Sequence, residues 1–170
     1  IGQTYNSQVH HSATGSGTFE HLTAGPTTLL DPTGEGTVGS AVKDSAIVAA
    51  ARAAGIPVET VPQLVAIAGD SNSKAQTEAK TILRERAVVL GEAVSSLVGL
   101  FNPTRVVLGG QAFTDYPDTL NLIASLIHQN STDVDIRVTA ARGRVQQQAA
   151  AAVAITAVAY DPLHAVEGAR

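Results

Sequence analysis

Leu90-Gly91-Glu92-Ala93-Val94-Ser95-Ser96-Leu97-Val98-Gly99-Leu100-Phe101-Asn102-Pro103-Thr104-Arg105-Val106-Val107-Leu108-Gly109-Gly110 holds a helix end, a strand and a turn in one unbroken run. Leu90, Val94, Leu97 and Val98 continue a three-and-four spacing that begins at Ala75 and passes through Ala79, Ile82, Leu83 and Ala87. That spacing predicts one long helix with an apolar stripe. Ser71 or Asn72 is expected to cap it, because a short side-chain oxygen satisfies the first free amides. Asn102-Pro103 stops it, since the residue before a proline avoids the helical region. Arg105-Val106-Val107-Leu108 is then a β-branched run expected as a buried strand, closed by a tight turn at Gly109-Gly110.

Upstream, Val42, Ala46, Ile47, Ala49 and Ala50 predict one helix from about Ser40 to Gly55-Ile56-Pro57, followed by a second over Pro62 to Ala68. Downstream, Tyr116-Pro117-Asp118 restarts a helix through Leu120, Ile123, Leu126 and Ile127. Asp135-Ile136-Arg137-Val138 is expected as a strand, and Arg144 to Tyr160 as an Ala-rich closing helix ended by Asp161-Pro162. Residues 1–40 form a Gly/Thr-rich loop or hairpin segment with short strands around Gln3–Tyr5 and Phe19–Leu22. Residues 41–160 form the α/β lobe and 161–170 a tail. Strands alternating with helices predict an α/β layer fold with a partly parallel sheet.

The chain of 170 residues is 44% hydrophobic and 15% charged, enough apolar material for a packed core. Its net charge of −4 argues against direct nucleic-acid binding, which needs concentrated positive surface. The absence of cysteine excludes disulfides, thiolate zinc sites and a thiol nucleophile. Apolar stretches are short and broken by charges, so no membrane span is expected. Residues 1–20 lack the basic and apolar regions of a signal peptide, which makes a cytoplasmic location the expectation. The chain opens at Ile1 and contains no Met, as a piece of a longer polypeptide would.

The Leu-Gly helix, the Asn-Pro turn, the hydrophobic strand and Gly109-Gly110 together resemble the signature of the ROK family of bacterial sugar kinases and sugar-responsive repressors. The resemblance extends over residues 45–160. It implies the C-terminal lobe of an actin/hexokinase-like, ribonuclease H-like fold. In the family's kinases the matching Gly-Gly lies beside the adenosine of ATP, which marks Gly109 and Gly110 as cofactor-side residues. Two glycines ending a strand do let backbone amides approach a ligand, but they also serve as a plain strand-to-helix turn.

The family's Gly-Glu-x-Gly-His segment, which lines the sugar pocket, is matched by Gly17-Thr18-Phe19-Glu20-His21. His21 keeps the histidine position, Thr18 stands where the glutamate belongs, and Glu20 is a displaced substitute. The Cys-rich zinc segment is matched by Thr33-Gly34-Glu35-Gly36-Thr37-Val38-Gly39-Ser40-Ala41-Val42. Thr33, Glu35 and Ser40 replace its cysteines and Val42 its closing glutamate. One imidazole, one carboxylate and two hydroxyls do not make a soft tetrahedral zinc site, so no metal is expected and the loop needs hydrogen bonds and packing instead. Each missing carboxylate removes a charge-assisted acceptor worth roughly 1.5–3 kcal/mol.

No catalytic base or phosphate loop can be assigned, because Asp31, Asp44 and Asp70 sit in the wrong context. His10-His11 with His21 lacks a carboxylate pattern for a metal site, and Gly15-x-Gly17 lacks a strand-to-helix setting. Arg137, Arg142 and Arg144 are expected to form a solvated basic edge, with too few aromatics nearby to stack bases. The small residues Ala87, Ala93 and Gly99 suit close helix packing or a dimer interface equally.

Three functions follow as expectations. The first is the effector-binding and oligomerisation part of a ROK transcriptional regulator, not itself an enzyme. Its partners would be a second copy, a sugar-type effector and DNA contacted by an upstream domain. The second is half of a divergent sugar kinase, which would bring in ATP. The third is an interaction module without a ligand.

Overall fold

The computed structural model describes residues 3–5, 8–10, 18–31, 34–130 and 133–139. β1 (Gln3–Tyr5) and β2 (Gln8–His10) pair antiparallel, with Thr4 opposite Val9. The strand expected around Phe19–Leu22 is instead a turn, in which Leu22 N–H donates to the Phe19 carbonyl at 3.0 Å. The nearer segment takes β1 because a shorter connection closes a hairpin at lower entropic cost.

The single helix expected from Ser40 is two. α1 (Val38–Val42) and α2 (Asp44–Ala53) are separated by Lys43, whose ψ of 147° is extended. Arg86 explains the break. Its Nε and Nη2 donate to the Val42 carbonyl at 3.2 and 3.0 Å, the oxygen that would otherwise carry the helix onward. α3 (Val61–Gly69) starts at a capping box, Thr60 accepting from Gln63 N–H while Gln63 Oε1 accepts from Thr60 N–H.

α4 (Gln76–Phe101) is the long helix. Neither Ser71 nor Asn72 caps it. The N-cap is Ala75, which makes no side-chain bond, and Ser73 supports the entry instead, its hydroxyl accepting from Ala75 N–H at 3.3 Å. At the other end Asn102 adopts the left-handed conformation (φ 43°, ψ 54°) and its N–H donates to the Val98 carbonyl at 2.8 Å. Asn tolerates that conformation, and Pro103 then forbids a further turn.

β3 (Arg105–Leu108) runs parallel to β4 (Asp135–Val138), joined by α5 (Gln111–Thr114), a 3-10 turn at Pro117–Thr119 and α6 (Leu120–His128). The α/β class and the partly parallel pairing are as expected. β3 is less buried than its composition implies. Val106, Leu108 and Ile136 face the core, while Val107 is 59% exposed opposite Arg137. Asp135 accepts from Arg105 Nε at 2.7 Å and from Arg137 Nε, so Arg137 is paired at a solvated edge. The Arg105 hydrogen bond, with Arg137, holds the Asp135 carboxyl below its ordinary value. Its pairing is therefore present above the usual carboxylate range and is lost as pH falls through the depressed value.

Two apolar clusters share α4. Leu30, Ile47, Leu64, Ile82 and Val89 belong to the first, built by α1 to α4 and the loop before α1. Leu90, Val94, Val98, Ile123 and Ile127 belong to the second, between α4, α6 and the parallel strands. Phe19 and Val42 pack against both. No helix among the described residues is long and apolar enough to cross a membrane. The expected closing helix Arg144 to Tyr160, the 161–170 tail, Arg142, Gly15-x-Gly17, Thr33 and His11 lie outside the described residues.

Candidate functional site

Phe19, packed into the junction of the two clusters, fixes the turn that carries Glu20 and His21, and both of these side chains are exposed. The turn is seated on the start of α1. Val38 N–H donates to the Leu22 carbonyl and Gly39 N–H to the Glu20 carbonyl, each at 2.8 Å. Ser40 N–H donates to Thr37 Oγ1 at 3.1 Å. A side chain at Gly39 would meet Glu20, with an ideal Cβ 2.9 Å from its Cβ and 3.1 Å from its carbonyl oxygen. Glycine at position 39 is what lets the segment around His21 and the segment ending at Val42 lie side by side. Thr23 and Thr37 complete the contact as an antiparallel bridge.

Side-chain carboxylates hold this loop together. Asp31 accepts from Gly36 N–H at 2.6 Å and Glu35 N–H at 3.3 Å. Glu85, on α4, accepts from Thr28 N–H and Leu29 N–H, both at 2.7 Å, and from the Thr28 hydroxyl at 2.8 Å. Ser40, which the resemblance sets against a cysteine, spends its hydroxyl on the Thr37 carbonyl at 2.8 Å. Among the described residues no group of His, Asp and Glu is placed to hold a metal ion. Of the two positions that lack the pocket carboxylates, Thr18 accepts from Glu20 N–H at 3.2 Å. Val42 is packed inward, not offered to a ligand.

Gly110 is the residue before α5, with φ 106° and ψ 165°, a backbone only glycine adopts without strain. Its carbonyl accepts from Phe113 N–H at 3.0 Å and Phe113 anchors the turn in the second cluster. Gln111 and Ala112, just past the turn, line a cleft together with Asp44, Arg86, Asp115 and Tyr116. That cleft has a volume of about 30 Å³, room for a water rather than for a nucleoside. Neither Glu20 nor His21 lines it, so the structure does not bring the two sequence-predicted sites into one cavity.

Arg86 dominates the cleft. Besides the Val42 carbonyl it holds Asp44 Oδ1 at 2.9 Å, and its side chain is 13% exposed. Burial pushes the guanidinium below its ordinary value, while the Asp44 and Asp115 carboxylates oppose that. Burial and Asp118 push the Tyr116 phenol up, keeping it a hydrogen-bond donor. Arg86→Ala is expected to cost about 1–3 kcal/mol in urea unfolding, because the Val42 carbonyl loses its partner. Arg86, Glu85 and Asp31 escape sequence reading, since each is held mainly to backbone atoms, which carry no residue signature.

No family model matches the chain. It is 37% identical to transcriptional regulators of Mycobacterium tuberculosis and Mycobacterium bovis over 94% of its own length, and spans 38% of theirs. A solved ROK family transcriptional regulator, described as a homolog of the E. coli MLC protein, superposes with a TM-score of 0.61 at 22% identity. That match covers 81% of this chain and 38% of the other. The chain has the ROK fold. A putative sugar kinase from Cytophaga hutchinsonii also matches with a TM-score of 0.61, at 13% identity, over 84% of this chain and 50% of that one. The ROK fold thus accounts for the Leu-Gly helix, the Asn-Pro stop and the Gly-Gly turn that the sequence displays.

Proposed function

We propose that this chain is the C-terminal, effector-binding and oligomerisation part of a cytoplasmic ROK transcriptional regulator whose DNA-binding element lies elsewhere in the polypeptide. The observation that carries this is the 37% identity with mycobacterial transcriptional regulators along 94% of the chain. The site geometry supports it. The loop around Glu20 and His21 rests on Asp31 and Glu85. A regulator needs only differential binding between two states, not a base poised at a hydroxyl.

The test is a pair of assays on the full-length protein. Retention of DNA from its own upstream region, with no ATP-dependent phosphorylation of hexoses, is the expected result. Phosphorylation without DNA retention would replace the regulator by the kinase. Leu100 and Phe101, 74% and 52% exposed at the end of α4, support self-association, which sedimentation equilibrium at micromolar protein would register as a dimer. Elemental analysis of untagged protein is expected to find no stoichiometric zinc, because the chain has no thiolate to offer and Ser40 spends its hydroxyl on the Thr37 carbonyl.

A further inference from the structure

Between α4, α6 and the strand-like segment Thr23–Gly25 lies a second cleft, with a volume of about 390 Å³, within the range of small-molecule sites. Its apolar floor is Val89, Ala93 and Leu126. Its polar rim is Thr23, Glu92, Ser95, Ser96, Gln129 and Asn130.

The hydrogen-bonding capacity of that rim is unevenly spent. Ser95 has spent its proton and one of its two lone pairs, its hydroxyl donating to the Leu126 carbonyl at 3.0 Å and accepting from Asn130 Nδ2 at 2.8 Å. That second bond leaves Asn130 Oδ1 as an acceptor. Ser96 has spent its proton on the Glu92 carbonyl at 2.9 Å and retains only acceptor capacity. The half-buried Glu92 carboxylate has no hydrogen-bond or ionic partner among the described residues. Among the described residues lining the cleft it is the one charged side chain. It also lies against Gly25: a Cβ there would run into Glu92 Oε2 and come within 3.1 Å of its Cδ. Glycine at position 25 leaves the space the carboxylate occupies.

A half-buried anion with no counter-charge among the described residues, ringed by acceptors over an apolar floor, is complementary to a positively charged donor on a compact hydrocarbon body. We propose that this cleft binds a small organic cation through a primary ammonium group seated on Glu92. The ammonium brings three donors and no acceptor, matching the oxygens of Glu92, Ser96 and Asn130. A neutral polyol would leave the charge uncompensated. The described residues of the cleft give it no aromatic face, so a quaternary ammonium would find no cage there. As the effector site of a regulator this assignment rests on the function proposed above. As a binding site it does not.

Isothermal titration of the full-length protein with cyclohexylmethylamine and with cyclohexylmethanol, a pair differing only in the head group, tests it. The amine is expected to bind with a dissociation constant at or below about 1 mM and the alcohol at least about tenfold more weakly. Glu92→Gln should erase that preference. Gly25→Ala, which displaces only the flexible end of Glu92, should weaken amine binding by about tenfold while leaving Tm within about 3 °C of wild type. Equal affinity for amine and alcohol overturns the proposal. So does the absence of amine binding at about 10 mM, or amine affinity unchanged in both variants. DNA retention by the same preparation without any amine reports on the regulatory function separately, so the two can fail independently.

Discussion

Leu30→Ala is expected to destabilise the protein by about 3–4 kcal/mol, near the upper half of the range for emptying a fully buried leucine site. Leu30 has no exposed surface and is the one fully buried side chain among the described residues of the loop between Glu20 and α1. The backbone on either side of it is tied at short range, to Glu85 through residues 28 and 29 and to Asp31 through residues 35 and 36. Those ties resist collapse of the loop into the space that leucine vacates, which is the condition for a large cavity cost. Urea unfolding at constant m-value would give the number. Leu30→Met, which conserves volume, is expected to lose less than about 1.5 kcal/mol. The Glu20–His21 turn sits on the same loop, so Leu30→Ala should also broaden the amide resonances of residues 20–23 in NMR spectra.

Gly91→Val is expected to cost about 3 kcal/mol by a different route, overpacking. An ideal Cβ at position 91 lies 2.7 Å from Leu126 Cδ1, 3.2 Å from Leu126 Cβ and 3.4 Å from Ile123 Cα. The Leu126 methyl can rotate away. The α6 backbone at Ile123 can yield only by moving the helix. Gly91→Ala recovers about 1 kcal/mol of helix propensity and should come out close to neutral. The contrast between the alanine and valine variants, read in parallel thermal melts, separates steric crowding from backbone entropy. A valine variant as stable as wild type would mean that α6 does not pack on α4 at this point.

The sequence makes the α4–β3 run legible because every boundary in it has a local cause: apolar spacing, a proline, β-branched residues, a glycine pair. Gly91 announces the close approach of α6, and Gly39 marks the contact with Glu20, although neither names its partner. The break at Lys43 is silent, since nothing in Val42-Lys43-Asp44 opposes a helix and the cause is Arg86, far along the chain. The start of α4 is misplaced for a local reason instead. Ser71 and Asn72 are good capping residues, but Asp70 and Ser73 draw that segment into turns before the helix begins. The candidate site divides in the same way. Glu20, His21, Gly109 and Gly110 stand out by motif. Asp31, Glu85 and Glu92 act through backbone amides or through a space left by a distant glycine, and only the folded chain reveals such relations.

Because one helix supplies a wall to both apolar clusters, its central amides have a distinctive solvent-exchange behaviour. With 26 residues at about 1.5 Å each, α4 is a rod about 39 Å long. Val89 faces the first cluster and Leu90 the second, so the backbone between them cannot open while either cluster stays closed. Deuterium should enter the amides around Val89 and Leu90 only through global unfolding, at a rate set by the full stability of the protein. Toward Leu100 and Phe101, exposed in the single chain, the same helix should in the dilute monomer exchange by fraying, orders of magnitude faster. A single helix would then report the whole stability at its middle and almost none of it at its end.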